Sequence, residues 1–305
     1  MVDPANEFPR PQSPALSSSG PAAETRGARF RAAKVVLALP AYNEQEALPE
    51  LLERIGEAFA DNGLPYEVVV VDDCSTDGTY EYLSEIYGDR IKLIKTEVNS
   101  GVSTATNEGY RHCEGEYIAL LGDDDYWEDP NKTAMQMELM AKNQRLGVTG
   151  TWWVELQEIG IRTERKPILP KKSYFIKEKM LAGGGVICGS TPLVSRDAWE
   201  AVGGMDEKQF KGTDSDLFRR IVFSGYGVKV INVITAAVDI GHAYQRMTPI
   251  NNGQDIKKSI YANLNVLRKF KKEYLFYPRA LITRLRLIGG LTARYFKIQL
   301  KGLSL

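Results

Sequence analysis

The chain has 305 residues, with 39 basic and 39 acidic side chains and a formal net charge of zero. That length holds one large domain or two small ones, and the charge balance gives no general attraction to nucleic acid. The three cysteines, Cys74, Cys113 and Cys188, lie far apart with no CxxC spacing. They form neither a disulfide framework nor a zinc site and point to a reducing, cytoplasmic compartment.

Residues 1–33, rich in Pro, Ser, Ala and Gly without apolar periodicity, read as a disordered leader lacking the apolar core of a signal peptide. Val35–Leu39 reads as a buried strand ended by Pro40. Leu48, Leu51, Leu52, Ile55 and Phe59 then recur at helical spacing over Glu46–Ala60. A second strand is expected at Glu67–Val71, a helix at Asp77–Tyr87 opened by Ser75 or Asp77, and a third strand at Ile91–Lys95. A helix over Ser103–Cys113 leads to a fourth strand, Tyr117–Leu121. Strands alternating with helices imply one parallel sheet with helices on both faces, its loops converging on a single crevice.

Beyond Asp129-Pro130 the pattern predicts a helix over Asn131–Asn143, strands and loops over 147–170, a Gly-rich stretch over 181–191, and helices at Arg196–Val202 and Asp214–Ser224. From Lys257 onward there are 12 basic residues against one acid, Glu273, which leaves an acidic body with a basic helical tail. In Arg279–Lys301, Leu281, Leu285, Ile288, Thr292, Tyr295 and Gln299 share one helix side. Arg279, Arg286, Arg294, Lys297 and Lys301 share the other, with Arg284 the exception. Such a helix either packs on the domain or lies on an anionic membrane surface. With no apolar run of 18 residues, no spanning helix is expected.

The chemistry-bearing residues sit at strand ends. Tyr117–Leu121 runs through Gly122 into Asp123, Asp124 and Asp125, three like charges that either form a solvated turn or gather a divalent cation such as Mg²⁺ or Mn²⁺. Tyr42 offers a face for a flat heterocycle and Glu44 an acceptor for a sugar hydroxyl, the alternative being a turn capped by Asn43. In Asp72-Asp73-Cys74-Ser75-Thr76-Asp77-Gly78, an EF-hand loop is excluded because its twelfth position is Ser84. A strand-end carboxylate accepting from a base or ribose fits better. Neither a P-loop nor a GxGxxG fingerprint is present. Asn99-Ser100-Gly101 permits close backbone approach to a ligand or forms a plain turn. Asp214 and Asp216 at a helix start offer either a general base or a cap. Cys188–Thr191 lines an acceptor side or packs in the core. Trp152, Trp153 and Trp199 read as core or interface.

The order of these segments carries a resemblance. VVLALPAYNEQEALPELL, VVVVDDCSTDGTYEYL, NSGVSTATNEGYRHCEGEYIALLGDDDYW and GGMDEKQFKGTDSDLFRR make residues 34–247 similar to a family-2 glycosyltransferase of the GT-A type. The resemblance implies an α/β fold with a mostly parallel central sheet flanked by helices. A nucleotide-sugar half over about 34–130 would join an acceptor half over about 131–250, followed by the basic segment 251–305. It implies metal-dependent, inverting hexosyl transfer from a nucleotide-diphosphate donor, with a lean towards UDP, to a hydroxyl of a glycan or lipid-linked acceptor. By the same resemblance Pro40, Tyr42 and Glu44 hold the nucleoside, Asp73 with Asp72 reads the base, and Asn99, Gly101, Asp123 and Asp124 complete donor binding. Relatives carry Asp-x-Asp-Asp where this chain has Gly122 first. That leaves Asp124 as principal metal ligand with Asp123 or Asp125 assisting. Asp214 aligns with the catalytic base, preceded here by Thr213, and His242 and Arg246 fall near a loop that closes over the diphosphate. The rival readings are a polyprenyl-phosphate sugar transferase and a non-catalytic nucleotide-sugar binding module. The expected setting is the inner face of a plasma membrane, in cell-envelope polysaccharide synthesis.

Overall fold

The computed structural model describes residues 35–62, 65–122, 125–157, 161–183, 185–240 and 253–302. The leader, Asp123, Asp124, His242 and Arg246 lie outside the described residues.

The nucleotide-side expectation holds for three strands. β1 (Val35–Ala41), β2 (Tyr66–Asp72) and β3 (Lys92–Lys95) form a parallel sheet in the order β1-β2-β3. Successive side chains of a strand point to opposite faces, and β2 is buried on both. Val68 and Val70 pack with Leu48, Leu52 and Ile55 of α1 (Leu48–Asn62) and Leu83 of α2 (Thr79–Tyr87). Val69 and Val71 pack with Ala105 of α3 (Val102–Tyr110) on the other face. A Cβ on Gly109 would stand 2.9 Å from that of Ala38, so only glycine lets α3 lie this close to β1.

The fourth strand departs from expectation. β4 (Tyr117–Ala119) joins a second sheet, antiparallel to β8 (Leu193–Ser195), rather than extending the first. Its burial explains why. Ile118 and Leu120 pack on a core while Ala119 and Leu121 are exposed, the one-sided alternation of an antiparallel strand rather than the two-sided burial of β2. This sheet has six strands in the order β4-β8-β6-β9-β5, with β7 (Arg162–Arg165) paired to β6. β6 (Leu146–Leu156) and β9 (Gly227–Asp239) are parallel neighbours, and β5 (Asp125–Trp127) runs antiparallel to β9. α4 (Lys132–Ala141), α6 (Arg196–Val202) and α7 (Thr213–Phe223) agree with the expected helices to within two residues at either end. α5 (Ser173–Ala182) was not foreseen, because its apolar residues do not gather on one side. Met180 and Leu181 are buried, whereas Tyr174 and Phe175 face solvent.

The tail forms a helical hairpin, α8 (Gly253–Lys269) and α9 (Pro278–Gly302). Val266, Phe270, Tyr274, Tyr277 and Ala280 close around Leu181. Arg284, the basic residue that falls outside the basic side, is buried and donates to the carbonyls of Leu181 (2.8 Å) and Met180 (3.3 Å) and to Asn263 Oδ1 (2.5 Å). Arg219 also donates to Met180 O, at 3.1 Å. Two guanidinium groups therefore bond the carbonyls at the C-terminus of α5, where the helix dipole favours cations. Among the described residues no helix is long and apolar enough to cross a membrane.

A second clasp joins the tail to α7. Asp216, fully buried, accepts from Arg220 Nε at 2.7 Å and Lys269 Nζ at 2.8 Å, while Arg220 also donates to Val202 O and Gly204 O. Asp216→Asn removes the buried carboxylate from Arg220 and leaves Lys269 with Asp206, and we expect a loss of about 3 kcal/mol. A urea-denaturation midpoint equal to wild type would contradict that role.

Candidate active site

The first three strand ends are latched by side chains that accept backbone amides across loops. Asn43, at φ 58°, donates its amide to Ser75 Oγ at 2.9 Å, and its own Oδ1 accepts from Thr76 N at 2.8 Å. Glu44 N reaches Thr79 Oγ1 at 3.0 Å. Asp77 takes Gln45 N at 3.2 Å and Thr79 N at 3.0 Å. Burial opposes ionisation of Asp77, but these hydrogen bonds prevail and hold its carboxyl below the ordinary range. Pro40 and Tyr42 stand exposed above this lattice.

Asp72 and Asp73, adjacent and both buried, have different surroundings. Asp73 Oδ1 accepts from Ser100 N (2.9 Å) and Thr96 Oγ1 (2.9 Å), and Oδ2 from Ser100 N (3.1 Å) and Gly101 N (2.6 Å). Its capacity is spent on the turn that opens α3. Gly101 sits there at φ 85°, where glycine is favoured, and Asn99 is exposed. Asp72 Oδ2 takes Ser75 N at 3.2 Å, but its Oδ1 has no hydrogen-bond partner. Nearby in the chain, Ser103 Oγ is likewise buried without one. Buried polar atoms left open are costly, and a bound ligand is one way to fill them.

A second cluster forms around the turn 188–191. Ser190 Oγ donates to Asp125 Oδ2 and accepts from Gly122 N at 3.0 Å, and Trp127 Nε1 donates to Ser190 O at 2.9 Å. Asp125 Oδ1 also accepts from Asp239 N at 3.0 Å. A Cβ on the adjacent Gly189 would stand 3.0 Å from Asp214 Oδ2. Three consecutive residues thus bring Asp125 and Asp214 to one place. Cys188 senses both. Burial, together with the charges of Asp125, Asp214 and Glu155, pushes its thiol up to about 12. Beneath the turn, Lys132 is fully buried against the Trp127 ring (4.2 Å) and donates to Gln136 Oε1 at 2.9 Å; burial lowers its pKa to about 8.

Asp214 and Asp216 divide the two roles open to a helix-start carboxylate. Asp216 is the structural anchor described above. Asp214 has no ion pair among the described residues. Asp214 is half-buried, and burial of its carboxylate raises its pKa, with donors from Ser215 and the charge of Arg219 only partly opposing. α3 ties this region to the strand-end lattice, since Asn107 Nδ2 donates to Met205 O (3.0 Å) and Glu207 Oε1 (2.9 Å), and Met205 N donates back to Asn107 Oδ1 (2.9 Å). Gly204, at φ 70°, leaves only 2.6 Å between a built Cβ and Asn107 Oδ1.

Among the described residues no group of three or more His, Cys, Asp or Glu side chains is arranged for a metal. The residues around Asp125 nevertheless suit a hard divalent cation. Asp125 offers carboxylate oxygens, the ligand type such a cation takes. Sequence reasoning missed Ser103, Asn107 and Lys211. The Lys211 ammonium, in the loop before Asp214, is buried without a hydrogen-bond partner. All three lie within the segments that carry the resemblance, but nothing in the residue types alone marks them as buried.

A parallel three-stranded sheet with open acceptors at its loops and a mixed sheet flanked by the helix that Asp214 opens make an α/β enzyme fold. The chain belongs to glycosyl transferase family 2, whose family model matches residues 37–203, and it is a glycosyltransferase. It is 26% identical over 270 residues to the Bacillus subtilis (strain 168) protein "Putative glycosyltransferase EpsE", covering 87% of this chain and 93% of that one. It is 30% identical over 173 residues to a dolichol-phosphate mannosyltransferase of Pyrococcus furiosus, covering 56% of this chain but 45% of the relative. Two solved structures share the fold. A mannosyltransferase from Pyrobaculum calidifontis in complex with GDP-Man and Mn²⁺ has a TM-score of 0.52 at 19% identity, covering 92% of this chain and 85% of that one. Staphylococcus aureus TarS 1–349 in complex with UDP-GlcNAc has a TM-score of 0.54 at 17% identity, covering 77% and 66%.

The folded protein holds the Asp214 proton more tightly than the unfolded chain does. Ionising it therefore costs stability, increasingly as pH rises from the ordinary carboxylate range through the raised folded value. Asp214→Asn should melt at a higher temperature than wild type at pH 7, with the difference vanishing below pH 4. A lower melting temperature for the variant at pH 7 would contradict this assignment.

Proposed function

We propose that this glycosyltransferase moves a sugar from a nucleoside-diphosphate donor to an acceptor hydroxyl, with Asp214 as general base. The observation that carries the reading is the contrast between Asp214, raised and without an ion pair, and Asp216, fully paired on the same helix turn. A phosphate acceptor arrives ionised and needs no base, so an unpaired carboxylate favours a hydroxyl over a polyprenyl phosphate.

The lattice of Pro40, Tyr42 and Glu44 beside Asp72 forms the nucleoside side. Asp72 Oδ1 can only accept, so it selects a base that offers a ring N–H, as uracil and guanine do. Asp73 then acts as a positioning residue, holding Ser100 and Gly101 rather than the base. The donor names in the solved relatives, GDP-Man and UDP-GlcNAc, are compatible with that chemistry. Lys211, with His242 and Arg246, supplies cations for the diphosphate. Asp124 and Asp125 would hold Mg²⁺ or Mn²⁺, which when bound supplies Lewis-acid neutralisation of the leaving diphosphate. Asp214 takes the acceptor proton, and the turn at Gly189 and Ser190 sets its position. A Bacillus subtilis relative named for teichuronic acid biosynthesis, 35% identical over 104 residues, supports a cell-surface glycan as the product.

Asp214→Asn should keep donor binding, read as a thermal shift with a UDP- or GDP-sugar and Mn²⁺, while transfer falls about 10²–10⁴-fold. Chelation with EDTA should abolish transfer by wild type. Near-native turnover by the variant, or full activity in EDTA, would refute the mechanism.

A further inference from the structure

We infer that the corner joining α5 to the tail hairpin is a docking surface for an anionic lipid bilayer. Leu275 and Phe276, at the hairpin tip, are 79% and 72% exposed, among the most exposed large apolar side chains described. They have neighbours. Tyr174 Oη donates to Phe276 O at 3.0 Å, its ring lies 4.7 Å from that of Tyr277, and Phe175 packs edge-on against it at 5.4 Å. Tyr174 and Phe175 are 44% and 46% exposed. Two segments a hundred residues apart in sequence thus build one aromatic and aliphatic knuckle.

Cations surround it. Lys171 and Lys172 precede the first pair, Lys271 and Lys272 precede the second, and Arg279 follows, all exposed. Against these five stand Glu178 and Glu273, both only partly exposed. On α9, Ile282 and Leu285, each 50% exposed, continue the apolar surface beside the exposed Arg286. The side of α9 that the sequence marks as most apolar is partly spent on packing, because Leu281 lies against the Leu181 core. The uncovered apolar residues are those next to the cations.

This chemistry fits a membrane interface. Aromatic and aliphatic side chains enter the boundary between headgroups and acyl chains, while lysine stems reach over them to anionic phosphates. A second copy of this chain fits poorly, since a two-fold pairing would set the same five cations against each other. A nucleic acid offers nothing to Leu275. The placement also matters for the enzyme. α5 runs from this corner to the segment carrying Gly189 and Ser190, a helix about 15 Å long, so docking would set the acceptor side of the site close to the lipid surface. The inference stands apart from the transfer mechanism, because its test uses neither donor nor acceptor.

The full chain should sediment with phosphatidylcholine vesicles containing phosphatidylglycerol, much less with phosphatidylcholine alone, and should release as salt rises. Leu275→Ser with Phe276→Ser, and separately Lys271→Glu with Lys272→Glu, should each weaken binding at least about tenfold with unchanged melting temperature. Phe276→Trp should shift its emission to shorter wavelength when anionic vesicles are added. Absence of binding by the full chain, equal binding by both double variants, or a concentration-dependent dimer that Leu275→Ser with Phe276→Ser dissolves would overturn the proposal.

Discussion

A carboxylate stripped of water must be answered by donors or cations, and this chain answers its buried aspartates unequally. Asp73 receives backbone amides from the turn that opens α3. Asp216 receives a guanidinium and an ammonium. Asp214, two residues earlier, receives only local donors and the more distant charge of Arg219, and its proton is held accordingly. The first two environments fix the frame, and the third leaves a carboxyl whose pKa burial holds above the ordinary range. One residue type therefore serves as strut and as clasp, and in the proposed mechanism as base, according to what the fold brings against it.

The frame matters because the reacting groups come from distant parts of the chain. Asp125 starts a short strand of the mixed sheet, Asp214 opens a helix, and the turn at 188–190 lies against both. That turn follows α5, whose end carbonyls are held by Arg219 and by Arg284 of the tail. The basic tail is thus part of the architecture behind the site and not merely an appendage. Substitutions in the hairpin can reach catalysis by loosening this support.

Much of this was legible beforehand. β2 reads as a doubly buried strand because four valines run together, and α6 was placed on its observed bounds by its cap and periodicity. Three of the strand-end motifs fall on the loops that follow β1, β2 and β3. The fourth strand was misassigned to the parallel sheet because an apolar run does not reveal whether one face or two will be covered. α5 went unseen since half its apolar residues face solvent. Roles within a motif were less legible than the motif itself. Asp72 and Asp73 are chemically identical, and only the position of the Ser100 and Gly101 amides shows that one is saturated and the other open. Arg284 looked like a misplaced surface charge until the carbonyls of Met180 and Leu181 gave it partners. Such pairings join residues about a hundred positions apart and leave no local trace.

The central claim is that burial holds the pKa of the Asp214 carboxyl above its ordinary range. Carbon NMR of protein labelled at the aspartate carboxyl carbon, followed through pH and assigned with Asp214→Asn, tests it directly. The account predicts one resonance, lost in that variant, titrating clearly above the usual carboxylate range. A resonance for Asp214 that titrates at or below that range would contradict it.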